Sequence, residues 1–281
     1  MTDIDLAVWV GRSQTQTDLL YHVPAAALAA SLNGLVDSAP YDGDQLPPLW
    51  SWLYFLPIVP MTEVGSDGHP KRGGFLPPIT LERRMWAGGR LKFLAPLIVG
   101  ATVERQSTIL KISQKDGKTG AMVFVTLRHE IRQGGILAIE EEQDIVYLPM
   151  PKIFSPAPPQ MVPECEWRQS VAIDPVLLFR FSALTFNGHR IHYDRPYAMD
   201  VEKYPGLVVH GPLQAIMLYE AARKYTANRV ISAFNFRAMR PIFDFDTVTL
   251  CGQSRSDGMD LFTANGEGAI GMQASIFWGP K

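Results

Sequence analysis

A chain of 281 residues with 47% apolar and 19% charged side chains has room for one large core or two ordinary ones, and too little charge to remain disordered. A formal charge of −2 with no long Lys/Arg run offers nothing to a phosphate backbone, so nucleic acid is excluded as the expected partner. The two cysteines, Cys165 and Cys251, are far apart and form neither a disulfide framework nor a redox pair, which makes the cytoplasm the expected compartment.

In chain order, the N-terminus MTDIDLAVWVGR carries acidic residues where a signal peptide carries basic and apolar regions, so no leader is expected. The most apolar stretch, PLWSWLYFLPIVP (residues 48–60), is too short and too proline-broken to span a bilayer, and no membrane partner is expected. Its composition predicts a buried helix. Residues 90–150 read as a β-meander: TVERQSTILKIS and AMVFVTLRHEI alternate apolar and polar side chains around the turn KDGKTG, and QGG leads into ILAIEEEQDIVYL. Four prolines in the 13 residues of KIFSPAPPQMVPE forbid regular hydrogen bonding and predict an extended linker. The expected organisation is a first unit over 1–150, a Pro-rich linker over 151–167 and a second unit over 168–281.

In the second unit, GLVVHGPLQAIMLYEAARKY has helical apolar spacing, and RVISAFNFRAMRPIFDFDTVTLCGQS, MDLFTAN and AIGMQASIFW read as strands. One buried helix followed by an antiparallel sheet thus occurs twice. A weak repeat agrees: Pro96, Leu97 and Thr102 correspond to Pro241, Ile242 and Thr247 at an offset of 145 residues, and each segment runs on to a DG turn, Asp116-Gly117 and Asp257-Gly258. The expected class is α+β, each half a curved antiparallel sheet wrapped around a long apolar helix. Pairing the two sheets edge to edge would hide edges that each half alone leaves exposed.

The chemistry is concentrated in TFNGHRIHYDRPYA, residues 185–198. Asn187, His189 and His192 flank Gly188, which lets the backbone turn between them. An imidazole near neutral pKa moves a proton in either direction, and an amide holds a water or a carbonyl oxygen. Two other readings compete, and two more fail. The histidines could satisfy buried backbone groups. His189, His192 and His210 with Asp194 could hold a metal, although their spacing matches no strong metal signature. The GKT of the DG turn suggests a phosphate loop but has Ile112 where the leading glycine belongs. Nucleophilic catalysis finds no G-x-S-x-G elbow and no nearby cysteine.

The run SALTFNGHRIHYDRPYA followed by YPGLVVHGPLQAIML resembles the motif of MaoC-like and R-specific enoyl-CoA hydratases. With WVGRSQTQTDLL and GGRLKFLAPLIVG, it resembles most the double hotdog branch that includes mesaconyl-C4-CoA hydratases, itaconyl-CoA hydratases and mitochondrial 3-hydroxyacyl-thioester dehydratases. The resemblance implies a double hotdog fold and reversible hydration of a short 2-enoyl thioester of coenzyme A or an acyl carrier protein, with no metal or redox cofactor. It puts His192 on the catalytic histidine and Asn187 on the position where most relatives carry an aspartate. His189 replaces the motif's asparagine, and Arg190 its proline. A neutral amide cannot be a general base. The mitochondrial-dehydratase-like branch shares the asparagine.

On this basis His192 exchanges a proton with water, Asn187 orients that water, and backbone N–H groups at His210-Gly211, followed by the helix-compatible Pro212, polarise the thioester carbonyl. Asp194 would orient His192 or act as a second base, with a solvated turn residue as its plain alternative. Glu220 would be a pocket carboxylate or part of a polar helix face. For a dicarboxylic acyl group, Arg190, Arg180, Arg83 and Arg84 are candidate partners. The expected substrate-binding set is His189, Arg190, His210, Gly211 and Arg84. A carrier-protein dehydratase, a hotdog thioesterase and a non-catalytic acyl-CoA binding module are the alternatives. One chain already supplies a pair of units, as a monomer would need, while low charge content favours a homodimer.

Overall fold

Alternation along the strands builds one continuous sheet. The computed structural model describes residues 5–32, 34–117 and 120–280. Lys118 and Thr119 of the discarded GKT reading lie outside these. The elements run β1 (Ser13–Leu19), α1 (His22–Ser31), β2 (Gln45–Leu46), β3 (Arg83–Phe93), β4 (Leu97–Ile98), β5 (Thr102–Gly117), β6 (Gly120–Gln133) and β7 (Ile136–Leu148). The second set follows as β8 (Trp167–Ala172), α2 (Pro175–Leu184), α3 (Gly211–Arg223), β9 (Ile231–Ala238), β10 (Thr247–Ser254), β11 (Gly258–Ala264) and β12 (Ile270–Trp278).

Ten strands form one sheet in the order β1-β5-β6-β7-β3-β9-β12-β11-β10-β8. Counted inward from either edge, the sequences β1-β5-β6-β7-β3 and β8-β10-β11-β12-β9 correspond position by position. The 145-residue offset is visible in this symmetry, because Thr102 and Thr247 are the first residues of the equivalent strands β5 and β10. The two sets meet where β3 pairs antiparallel with β9, Leu91 opposite Phe234. Glycine is needed at this seam: a Cβ on Gly88 would lie 2.6 Å from the Phe236 carbonyl oxygen.

α3 fills the concave side of the second set. Ten of its residues, Leu213–Ala222, are buried, and Leu213, Ile216, Met217 and Leu218 are fully enclosed. Each contributes about 1.5–3 kcal/mol of apolar burial. Its polar members are partnered: Thr263 Oγ1 donates to Gln214 at 2.8 Å, and Trp50 Nε1 donates to Glu220 at 2.9 Å.

The first set departs from the expected copy. The stretch 48–60 is no long helix. Pro48–Leu53 makes a 3-10 turn, buried at Leu49, Trp50 and Leu53, and the chain then runs irregularly through Pro57 to an exposed Ile58. Prolines at 57 and 60 remove the backbone donors a helix would need. α1 has ten residues, of which only Pro24, Ala25 and Leu28 are buried. Among the described residues a long central helix is therefore present in the second half alone. The core is nevertheless shared, since Leu28, Trp50 and Leu91 belong to the same apolar cluster as Leu213 and Phe234. The Pro-rich segment is docked on the second set, with Met161 bridging to Ala269. No helix is long and apolar enough to cross a membrane among the described residues.

Candidate active site

The histidine-rich segment is shaped by its backbone before its side chains act. α2 ends at Leu184, Phe186 takes a left-handed conformation (φ 50°), and the Asn187 N–H returns to the Ser182 carbonyl at 2.8 Å. The Asn187 Oδ1 then accepts the His189 N–H at 3.0 Å, tying the entry to the 3-10 turn Arg190–His192. That turn is held from the other side by Val208, whose N–H donates to the Ile191 carbonyl at 3.0 Å.

Four histidines form a column. His210 and His192 stack at 3.6 Å with an angle of 17°, His192 and His189 meet edge to face at 5.5 Å, and His189 lies 4.2 Å from His69. The first three are buried. Hydrogen bonds fix three tautomers, because a carbonyl or an ionised carboxylate only accepts. His192 Nδ1 is 2.7 Å from the Val208 carbonyl oxygen, His189 Nε2 is 2.8 Å from Glu202 Oε1, and His69 Nδ1 is 3.0 Å from Asp67 Oδ2. Each of those nitrogens carries the proton. In a neutral ring the opposite nitrogen is then a lone pair, and among the described residues His192 Nε2 takes no hydrogen-bond partner. His210 Nε2 pairs with the Ser182 hydroxyl at 2.9 Å, and its Nδ1 is buried without a partner.

Burial, reinforced by His210, keeps His192 well below the usual histidine range. Burial also lowers His210 and His69, each to about 3, with the Asp67 hydrogen bond only partly opposing the shift at His69. His192, His210 and His69 are therefore neutral. Asp67 behaves oppositely: burial alone would raise its carboxyl, but the ring and backbone hydrogen bonds from His69 outweigh this and hold it well below the usual carboxylate range.

The column ends at the start of α3. His210 caps the helix, Gln214 makes its first internal bond to His210 at 3.1 Å, and the N–H groups of Gly211 and Leu213 have no backbone partner among the described residues. The nearest neighbours of a Cβ placed on Gly211 would be Met272 and the Trp86 carbonyl, both at 3.9 Å. Protein packing does not demand the glycine, so its openness is available to a ligand. Trp86 in turn meets Trp52 at 4.9 Å and Phe236 at 5.9 Å, an aromatic wall beside the helix start.

The other expected residues are placed differently. Asp194 does not meet His192. It accepts two bonds from Arg190, at 2.7 and 2.9 Å, and one from the Tyr197 N–H at 3.1 Å, and the Arg190 bonds hold its carboxyl down. The orienting acceptor for His192 is a backbone carbonyl, which a sequence motif does not display. Arg190 lies over the Tyr197 ring at 4.2 Å and reaches the Ser66 carbonyl at 3.1 Å, so its guanidinium is engaged. His189 is held by Glu202, which also faces Arg83 Nε at 3.3 Å. Arg83 donates further to the Tyr204 hydroxyl. Arg180 is exposed, Arg84 half-buried. Glu220 is committed to Trp50 and Arg223 inside the core, where burial raises its carboxyl. Among the described residues no three His, Cys, Asp or Glu side chains are grouped to hold a metal.

Asp67, His69 and Glu202 were not expected. The first two belong to SDGHP in a Gly/Pro-rich loop of the first half, which docks on the histidine segment: the Arg190 N–H donates to the Asp67 carbonyl at 3.0 Å, and Gly68 packs against Gly188. An Asp-x-His in a turn was the available signal. Beside them lies a cleft of about 810 Å³ lined in part by Asp67, Lys71, Arg72, Arg190 and Tyr197.

Known proteins share both fold and sequence. A protein described as a double hotdog from Mycobacterium tuberculosis matches with a TM-score of 0.57 at 13% identity, covering 96% of each chain. HtdX of the same organism gives 0.67 at 18% identity, covering 94% of this chain and 99% of its own. The architecture is thus a double hotdog. The model of the family described as hydroxyacyl-thioester dehydratase type 2 matches residues 49–244. A mesaconyl-C(4)-CoA hydratase of Chloroflexus aurantiacus is 46% identical over 98% of this chain and 99% of that relative. The chain belongs to the hydroxyacyl-thioester dehydratase type 2 family.

Proposed function

We propose that this chain is a hydro-lyase that reversibly adds water to a short 2-enoyl-CoA, of the branched C5 dicarboxylic type that mesaconyl-C4-CoA represents. The observation that carries the reading is the fixed tautomer of His192: Val208 holds its Nδ1–H and leaves Nε2 as a lone pair, one stacking distance from the helix start at His210-Gly211. The substrate class follows the activity for which the 46% identical relative is named.

In the hydration direction, water gives a proton to His192 Nε2 as its oxygen bonds to the β-carbon. The electron pair of the double bond moves to the α-carbon and the thioester oxygen, where the free N–H groups of Gly211 and Leu213 stabilise the charge. The proton on Nε2 then passes to the α-carbon, which restores neutral His192 and completes the addition of H and OH. A neutral imidazole suits this cycle, since it must begin as a base. Asn187 has its oxygen committed to His189, so its Nδ2 donates to the water oxygen and orients it. This removes the need for an aspartate at that position. We assign residues 1–150 to the acyl pocket, along the Trp52–Trp86 wall, and 168–281 to the chemistry. The inferred setting is the cytoplasm, with two chains forming a homodimer.

The test is the loss of enoyl-thioester absorbance with mesaconyl-C4-CoA, itaconyl-CoA and crotonyl-CoA, alongside His192→Ala. Fast loss that requires His192 supports the hydro-lyase. Tight binding of all three thioesters without any loss would replace it with a binding module.

A further inference from the structure

We propose that Arg84, Arg72 and Tyr147 form a subsite for a carboxylate borne by the acyl group. The proposal rests on the thioester reading above and adds the group that selects among thioesters. β3 carries three arginines whose surroundings differ. Arg83 is matched by Glu202, and Arg90 by Glu142 and Asp144. Arg84 is half-buried and makes no ion pair among the described residues. Directly opposite it in the sheet, and close to it, is Tyr147 of β7, fully buried, whose hydroxyl is aligned for no hydrogen bond. Above the Tyr147 ring, at 5.5 Å, sits the Arg72 guanidinium. Among the described residues Arg72 donates only to the backbone carbonyls of Ile79, Leu81 and Glu82, and a carbonyl carries no compensating charge.

Two half-buried cations and an orphaned phenol thus surround one place with no neutralising carboxylate. The acidic groups nearby are occupied: Asp67 by His69, and Glu82 by the Met150 N–H. Cations of like charge held together out of water repel each other, and a buried hydroxyl without a partner is uncommon in a folded chain. A bound carboxylate answers all three, accepting a forked pair of bonds from Arg84 and a third from the Tyr147 hydroxyl.

Position links this place to the reaction. Arg84 lies near enough to His69 for its charge to disfavour protonation of that ring, and Arg72 leaves the same loop that presents His69 to His189. In a mesaconyl-C4 thioester the free carboxylate is attached to the β-carbon itself, one bond from the atom that water attacks. A subsite for it must therefore border the histidine column, and this one does. Because Lys71, Arg72 and Arg190 also line the neighbouring cleft, the same cations could instead meet the phosphates of coenzyme A.

Binding of two unreactive saturated thioesters separates the sources: 3-carboxybutanoyl-CoA and butyryl-CoA, measured by calorimetry on wild type, Arg84→Met and Tyr147→Phe. The expected result is that Arg84→Met weakens 3-carboxybutanoyl-CoA about 100-fold and leaves butyryl-CoA within about threefold. Tyr147→Phe, which keeps the ring, should weaken the same ligand about fivefold. Equal weakening of both thioesters, together with weaker binding of free coenzyme A, would overturn the proposal in favour of a phosphate contact. Unchanged binding of both would overturn it outright. Neither readout needs turnover, so a wild-type protein that binds 3-carboxybutanoyl-CoA through Arg84 but hydrates nothing would refute the hydro-lyase and leave the subsite standing.

Discussion

Substituting Gly68 by alanine tests whether the loop of the first half is a working part of the site. A Cβ there would lie 1.8 Å from the Gly188 carbonyl oxygen, whereas real Cβ contacts are essentially never under 3.0 Å, so loop and histidine segment must separate by more than an ångström. The Gly68 backbone sits at φ +89°, where alanine adds about 1–3 kcal/mol of strain. The local loop can yield without unfolding the sheet, so Tm should fall by only a few degrees. His69 moves with the loop and loses its 4.2 Å contact with His189, and a misplacement of about 1 Å commonly costs about 100-fold in rate. The expected kcat/KM for the preferred enoyl-CoA is therefore about 100-fold below wild type. Gly188→Ala, whose Cβ would lie 2.4 Å from the Gly68 carbonyl oxygen, should reproduce this, and the double variant should be no worse than either single one, since both break one contact. Gly74→Ala, with nothing within 4 Å, is the control. A Gly68→Ala enzyme within twofold of wild type would refute the claim that loop docking organises the column.

His192→Ala should lower kcat by about 10²–10⁴-fold with little change in KM, read from the absorbance assay, and a residual rate above a tenth of wild type would exclude it as the proton carrier. Glu202→Leu strands both Arg83 and His189 and should cost about 3–5 kcal/mol by urea unfolding, whereas Glu202→Gln, which keeps the shape and one acceptor, should cost clearly less. Burial, with Arg105 nearby, lowers His129 to about 3, between Ser107 and Gln143. A histidine whose folded pKa is depressed stabilises fully above its unfolded value near 6.5 and loses that contribution as pH falls toward 3, about 2 kcal/mol by pH 5. Glu141 on the adjacent strand, raised by burial to about 7, has the opposite slope, its contribution fading as pH rises from its unfolded value toward 7. His129→Gln should remove only the first, so the variant should lose about 2 kcal/mol less than wild type between pH 7 and pH 5 in thermal unfolding. An identical loss in both proteins would show that His129 is not held neutral.

Period-two alternation was readable in the strands because each has one face on a core, as in β6, where Val123, Val125, Leu127, His129 and Ile131 all point inward. The stretch 48–60 misled because its apolar content reports burial, and burial is what it has, while helix formation also needs donors that Pro57 and Pro60 lack. Three members of the column were legible because Asn187, His189 and His192 crowd one segment and His210 begins a helix with Gly211 and Pro212. His69 was not. More than a hundred residues separate it from His189, and the docking of its loop on the histidine segment closes that distance. Glu202 was hidden for a related reason, since a glutamate after a short turn looks solvated until Arg83 is known to face it.

The continuous sheet has a further consequence in what it allows the two halves to become. Two identical subunits meeting at β3 and β9 would be bound by symmetry, every change in one repeated in the other. Joined in one chain, they are free to drift apart. One has kept α3 and the histidine segment, and the other has exchanged its long helix for a 3-10 turn, an aromatic wall and a polar layer. The bargain is one reaction centre for ten strands, with a spare half released to shape what that centre accepts.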